Sequence, residues 1–544
     1  MKAFFAFCRS LCSSATWQQV SVPEKRLLIG ILLLHFLLSG WMVSRIDFTC
    51  DEYGYYGWAV RWAQGHQERI LPVDDSKTPI VAPSLVPIVA KKWLQPADDA
   101  HGFMLLQIGR WFMYIYQLLG AFVLFAWLYR LWGSYKWVLP LLLYLYDPLV
   151  FSYSMIVGSD LPSTSLLLAS FYFAWRYWQS AEKRDWVRMC MAVSLAILAK
   201  ASMVYLLPML MLAFWLAPAA KTTAIRWPAW QRWGLLLLCI WLCIQVAYLF
   251  EGSFFPLSQL PQKSAAFQQL AAKLQAFSSW PVPLPYHYVS GFDLLKFNEE
   301  LGGGANDINS FIGVYFNGEY FTRGPVWYYY AYVFVYKWPL ACWALLVAAL
   351  WLLRKHLLSV QHWRKYVFIW LPLVAYAAIL SFTNPFQIGM RHAMLLMPGL
   401  YFLVGYSANR FWVTKKRLMQ FLLLFYALSW LSYWPNMLSY TNELIWHKEQ
   451  VYEKLYDSSV SYCQAEAFLQ TFLQKHPEYK RPGTTPAAGK FAVELEAVAN
   501  PLNARGLQWL LQLKKPSGHY MHVVLLYEVT EADLQKARFK VSGK

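Results

Sequence analysis

The chain has 544 residues, of which 58% are hydrophobic and 14% charged, against roughly 25% charged in an average soluble domain. Aromatic side chains make up 18%, and the formal net charge is +18. These figures exclude a disordered, collagenous or coiled-coil chain and argue against an ordinary soluble enzyme; with a mean hydropathy of +0.31 they fit a polytopic membrane protein that also carries sizeable water-exposed parts. The positive balance does not point to nucleic acid, because the basic residues cluster in short loops between apolar runs.

Lys2, Arg9, Lys25 and Arg26 precede the apolar run Leu27 to Val43. The run is long for the core of a signal peptide and no small-residue cleavage site follows it, so it reads as a first span and anchor. A span takes about 20 apolar residues. By that measure the chain holds roughly eleven, near 27–46, 111–130, 137–155, 162–179, 187–200, 202–219, 234–250, 327–353, 366–383, 393–408 and 418–436. Trp186 to Ala219 is almost continuous and is read as two short crossings. Alternate loops then carry the positive charge: Arg130 and Lys136; Lys183, Arg184 and Arg188; Lys221, Arg226 and Arg232; Arg354, Lys355, Arg364 and Lys365; Arg410, Lys415, Lys416 and Arg417. That alternation places the N-terminus in the cytoplasm, and it stays in phase only if 187–219 crosses twice. The opposite side receives the loops 47–110 and 251–326 and the tail. The expected fold is an all-α polytopic domain over 1–436, with a small α+β outer domain over 437–544 in which His519 to Val529 has strand composition.

In so apolar a chain the informative residues are the ionisable ones beside or within spans. Asp51 and Glu52 follow the first span and open a segment, Tyr53 to Trp62, with the aromatic spacing of an interfacial helix. They serve equally well as a helix cap with its first-turn acid, or as two carboxylates held at the membrane face. Asp160 lies in a very short outer loop, where Pro162 marks a helix start; it caps that helix or converges with Asp51. Lys200 ends the fifth span, Arg391 and His392 begin the tenth, and Lys337 lies inside the eighth beside Pro339. Basic residues on the outer side run against the positive-inside bias, and an anion there, such as a lipid-linked phosphate, accounts for them. Gly302 to Gly304 lack the Lys and Ser/Thr spacing of a phosphate loop, and neither a zinc signature nor a nucleophile elbow occurs.

These residues suit one chemistry. A sugar joined to a lipid phosphate carries its own leaving group, so transfer needs a carboxylate base for the acceptor hydroxyl and fixed positive charge for the departing phosphate. Asp51 can be the base, with Lys200, Arg391, His392 and Lys337 on the phosphate, and Glu52 and Asp160 as further catalytic acids. An adjacent carboxylate pair is also a candidate holder of a divalent metal with the same task.

Six segments in order carry a resemblance: Asp51-Glu52 after the first span; Asp160 in the second outer loop; Leu198 to Lys200; Tyr315 to Pro339 (YFNGEYFTRGPVWYYYAYVFVYKWP); Gly389 to His392 with Pro398; and Tyr440 to Ser459 (YTNELIWHKEQVYEKLYDSS). Together they resemble the C-type membrane glycosyltransferases, in the branch of protein O-mannosyltransferases and aminoarabinose–lipid A transferases. The resemblance implies a polyprenyl-phosphate-linked sugar as co-substrate, no other certain cofactor, catalysis on the outer face, and Asp51 as base. It also implies an acceptor side or loop role for Glu319, Tyr320, Asn442 and Glu443. The implied partners are membrane lipid, the donor, and a glycan, lipid or protein acceptor, and the implied site is a bacterial inner membrane with a periplasmic catalytic face. The chain departs from the family at Ala82 to Leu85, in place of His-Pro-Pro-Leu, and at Tyr462 to Ala465, in place of Trp-Gly-Gln-Asp. A lipid-linked sugar transporter would show internal repeats and midplane polar sites, and a non-catalytic assembly subunit would not need the acid and base set. Cys50 and Cys463 both fall on the outer side, where a disulfide between them would tie the tail to the Asp51 loop.

Overall fold

The computed structural model describes residues 14–70, 74, 76–94, 102–219, 228–301, 314–321, 325–357, 359–384, 387–499 and 506–542. The Gly302 to Gly304 turn lies outside them.

Each predicted span meets helix. Three described helices are long and apolar enough to cross a membrane unaided: Val22–Val43, Met104–Trp132 and Ala229–Ala247. The predicted eighth span is a broken pair, Tyr329–Lys337 and Leu340–His356, bent by 117°. Pro339 lies at that bend and cannot donate the backbone hydrogen bond that would continue the first helix. Other spans are shorter or divided. The stretch 137–155 is not one helix but two, Val138–Leu145 and Pro148–Ser152. Asp147 makes the break: its Oδ1 accepts from the amides of Leu149 at 2.9 Å and Val150 at 3.3 Å, and Pro148 starts the new helix. At 187–219 the helix Lys183–Ala199 stops at Lys200, which is extended (φ −155°, ψ 133°), and Leu206–Leu216 follows a short 3₁₀ turn. The stretch is thus divided, as expected. The predicted tenth span opens as a 3₁₀ turn, Met390–Leu396, before the α-helix Met397–Thr414.

Buried charges tie these helices together. Glu24, 1% exposed, accepts from the Tyr135 amide at 2.9 Å and from Trp137 Nε1 at 3.1 Å, joining the start of the first helix to the turn after the second predicted span. The expected interfacial segment is the helix Cys50–Ala63, which buries Tyr55, Tyr56, Trp58 and Ala59.

The tail contains a three-stranded antiparallel sheet in which Val524–Val529 lies between Gly489–Glu494 and Gly518–Tyr520. His519 to Val529 is therefore a hairpin and not one strand: Met521 (φ 50°) and His522 (φ 64°) turn the chain. Phe491, Val493, Leu525 and Tyr527 are buried beneath the sheet, and one continuous apolar cluster runs from Trp17 to Val529. Two short strand pairs not foreseen from the sequence, Phe255–Pro256 with Pro281–Val282 and Val314–Phe316 with Glu319–Phe321, stiffen the 251–326 loop.

Candidate active site

Asp51 sits in the first turn of the Cys50–Ala63 helix. Its neighbour Glu52 does the capping, accepting from the Thr49 amide at 2.8 Å, and this leaves the Asp51 side chain to face a cleft. There Arg391 Nη1 donates to both Asp51 Oδ2 and the Tyr462 hydroxyl, and the Arg391 Cζ stands 4.7 Å from the centre of the Tyr462 ring. The same Nη1 is 4.0 Å from Asp160 Oδ2, and Lys200 Nζ donates to Asp160 Oδ1 at 2.6 Å. The result is a chain of alternating charge, Asp51–Arg391–Asp160–Lys200. Arg391 is 10% exposed and Asp51 34%, so the arginine is the buried member and the carboxylate faces outward.

Local structure puts each group in place. Asp160 opens the helix Asp160–Ser180, and Lys200 is the break after Lys183–Ala199. Arg391 follows Gly389, whose φ of +115° is open to few other residues; a Cβ there would lie 2.4 Å from Ser458 Oγ and 2.9 Å from the Ser459 amide. That close approach lets Ser459 Oγ accept from the Met390 amide at 3.2 Å and Ser458 Oγ donate to the Ile388 carbonyl. Tyr55, Tyr153, Ile156, Val157, Gly158, Leu161 and Tyr462 complete the cleft.

Burial opposes ionisation of Asp51, but the charges of Arg391 and Lys77 outweigh it, helped by hydrogen bonds from Tyr462 and Arg391. Its carboxyl is held well below the usual carboxylate range.

The other predicted residues fall elsewhere. Glu52 is fully buried, with Oε1 accepting from Arg110 Nε at 2.8 Å and the Val157 amide at 3.0 Å, and Oε2 taking Arg110 Nη2 at 2.5 Å. It does not share the cleft with Asp51, so the adjacent acids form no common ligand set for a metal. Among the described residues, the group of three metal-ligating side chains close enough to share an ion is Cys50, Cys463 and Glu496, and its two sulfurs are bonded to each other. Lys337 is 7% exposed and donates to the carbonyls of Leu438 (3.0 Å) and Ser459. It lines a second cleft, which shares Tyr153 and Arg391 with the first. His392 Nε2 is buried without a hydrogen bond. Asn442 is buried and donates to the carbonyls of Val335 (2.6 Å) and Trp338 (2.8 Å), closing the end of the Tyr329–Lys337 helix. Glu443 follows it, with Oε2 buried and unbonded. Glu319 and Tyr320 lie in the Glu319–Phe321 strand, where Tyr320 pairs with Tyr315 and Glu319 is exposed. Glu319, Asn442 and Glu443 line neither cleft.

Three partners of the site were not foreseen. Arg110 carries a legible signal, an arginine in an apolar run. Tyr462 and Lys77 carry none in their spacing; Lys77 reaches the site over the Tyr55 ring, with Nζ 4.1 Å from its centre. Cys50 and Cys463, whose pairing the sequence left open, form a disulfide.

The model of the dolichyl-phosphate-mannose-protein mannosyltransferase family matches residues 101–248. Among solved structures, ArnT from Cupriavidus metallidurans in the apo state is similar at a TM-score of 0.45 and 14% identity, over 71% of this chain and 60% of that one. No curated protein matches the chain in sequence. The family model that matches residues 101–248 is that of a family which the motifs resemble.

Proposed function

We propose that the chain is an integral-membrane glycosyltransferase that moves a sugar from a polyprenyl-phosphate donor to a hydroxyl of an envelope glycolipid, glycan or protein. The observation that carries this reading is the ion chain Asp51–Arg391–Asp160–Lys200, whose first three members line one cleft. It supplies a carboxylate and two cations within reach of one another, which is what transfer from a phosphate leaving group needs.

In the resting site Arg391 neutralises the base. A donor phosphate competes with Asp51 and Asp160 for Arg391 and Lys200. Once the phosphate takes the guanidinium, the field that suppresses the basicity of Asp51 weakens and its proton affinity rises. Asp51 then accepts the acceptor's hydroxyl proton, the oxygen attacks the anomeric carbon, and the bond from that carbon to the phosphate oxygen breaks. The phosphate leaves with the bonding pair, held by Arg391 and Lys200. Lys337 extends the positive wall on the far side of Arg391, and Glu52 holds the helix that presents Asp51. His392 lies beside Arg391 on the same wall.

The topology proposed with this reading is roughly eleven crossings, with the N-terminus cytoplasmic and the site on the periplasmic face of a bacterial inner membrane. Residues 1–436 form the catalytic membrane domain and 437–544 an outer domain, which returns Tyr462 to the site. The loop charges and the position of the disulfide beside Asp51 support it.

The test is sugar release from labelled polyprenyl-phosphate donors by the purified protein in lipid, with wild type beside Asp51→Asn. Turnover that vanishes in a folded Asp51→Asn variant is the expected result. Turnover unchanged by the substitution would remove Asp51 as the base.

A further inference from the structure

Cys50 and Cys463 flank the two residues that hold Arg391. Asp51 follows Cys50, and Tyr462 precedes Cys463. The disulfide spans a sequence separation of 413 residues and brings the Cα atoms to 5.3 Å. Beside it the Cys50 amide donates to the Tyr462 carbonyl at 3.2 Å. The helix side of this junction is anchored independently, because Glu52 is locked to Arg110 and to the amides of Thr49 and Val157. The tail side is anchored beyond the site, where Gln464 Nε2 donates to Ser439 Oγ and the Val460 carbonyl, each at 3.1 Å. Between these anchors Cys463 is held at φ +65°, a conformation a residue with a Cβ rarely adopts unless its surroundings impose it.

We propose that the Cys50–Cys463 disulfide is a positioning device that presses the Tyr462 hydroxyl against Arg391 and Asp51, so that turnover requires the oxidised cysteine pair. The proposal rests on the reading of Asp51 as the base. Cys50 is exposed and Cys463 partly so, which leaves the bond open to reagents in solvent. A dithiol reduces it by thiol–disulfide exchange: the sulfur–sulfur bond breaks, Cys50 and Cys463 each gain a hydrogen, and the dithiol closes to its own disulfide. The helix stays on Arg110 and the tail side stays anchored through Gln464, but Tyr462 is no longer held to the turn that carries Asp51. Arg391 then loses its second partner and the cation is no longer centred between base and leaving group. In the cytoplasm the pair would be reduced, and in an oxidising compartment it persists. The same bond therefore restricts turnover to the outer side of the membrane.

The test uses the full chain in lipid, folded first and then treated with dithiol, with free thiols at Cys50 and Cys463 confirmed by mass mapping. Reduction is expected to raise hydrogen exchange over residues 460–464 and to lower kcat about 100-fold, the scale of a misplaced catalytic group. Donor KM should change far less, and reoxidation by a disulfide reagent should restore turnover. The Cys50→Ser/Cys463→Ser double variant should be slow and indifferent to dithiol, which assigns the effect to this pair. Tyr462→Phe should be slow when oxidised and lose little more on reduction, a pattern that a bond serving only stability would not produce. Reduced wild type with both thiols free, unchanged kcat and unchanged exchange at 460–464 would overturn the proposal. If no polyprenyl-phosphate donor is turned over while exchange at 460–464 still rises on reduction, the functional reading fails and the clamp stands.

Discussion

Asp51 and Glu52 are adjacent in the chain and face opposite partners: Asp51 meets Arg391 at the cleft, and Glu52 is sealed, fully buried, against Arg110. A single helical turn thus holds both a carboxylate available for chemistry and one committed to structure. Replacing each should separate the two roles. Asp51→Asn is expected to abolish donor turnover while the protein still inserts and folds. Glu52→Gln should unfold earlier, because it strands the buried Arg110 charge, a cost of about 3–5 kcal/mol. The Glu52→Gln/Arg110→Gln pair should be less damaged than the sum of its singles. Thermal unfolding in detergent, read beside turnover, decides it; a stable but inactive Glu52→Gln would return Glu52 to the catalytic set.

The low proton affinity of Asp51 gives a pH signature. Its folded-state carboxyl titrates below the unfolded value because Arg391 and Lys77 overcome the opposing effect of burial. The pair's stabilisation is thus fully present above the unfolded value, about 3.9. It is lost as pH falls from there through the folded value, where the unfolded chain binds a proton that the folded chain resists. The difference in unfolding temperature between wild type and Asp51→Asn should be constant from about pH 9 to 5 and shrink below about pH 4. A constant difference down to the lowest pH measurable would contradict the pairing.

Donor binding should shift the same group in activity. The acid limb of kcat/KM reports the free enzyme, and that of kcat the loaded one. Because a bound phosphate draws Arg391 away from Asp51, the limb of kcat should lie at higher pH than the limb of kcat/KM. Coincident limbs would mean that Arg391 stays on Asp51 through the reaction.

Gly389→Ala tests the support behind Arg391. The added methyl meets Ser458 and Ser459 on a backbone at φ +115°, so the 3₁₀ turn must move. Turnover should fall about 100-fold from misplacement of the guanidinium, with an unfolding cost of about 1–3 kcal/mol. Full activity in this variant would show that the Ser458–Ser459 contact does not set the arginine.

Asn442→Ala separates an acceptor role from a structural one. Loss of its bonds to the carbonyls of Val335 and Trp338 leaves buried acceptors unsatisfied and should cost about 1–3 kcal/mol. Acceptor KM in the folded fraction should not change. A rise in acceptor KM without destabilisation would place Asn442 on the acceptor path instead.

The sequence by itself determined the membrane character, the positions of the apolar helices and four members of the ion chain. The reason is energetic: an ionisable side chain in or beside an apolar span is costly, so Asp51, Asp160, Lys200 and Arg391 stand out against their surroundings. The sequence left open whether Cys50 and Cys463 pair, and the tertiary structure joins them in a disulfide. Composition could not say which charge meets which. Asp51 and Arg391 are 340 residues apart, and Glu52 and Arg110 are 58 apart. Neither separation corresponds to a helical or strand repeat, so only the packing of distant elements decides the partners. That packing made Glu52 a buried counter-ion and Asn442 a helix-end bond, where spacing alone offered two site residues, and it set Lys337 on the Leu438 and Ser459 carbonyls at the edge of the second cleft. It also brought Tyr462 of the tail against Arg391, across a gap in the chain that no local pattern bridges.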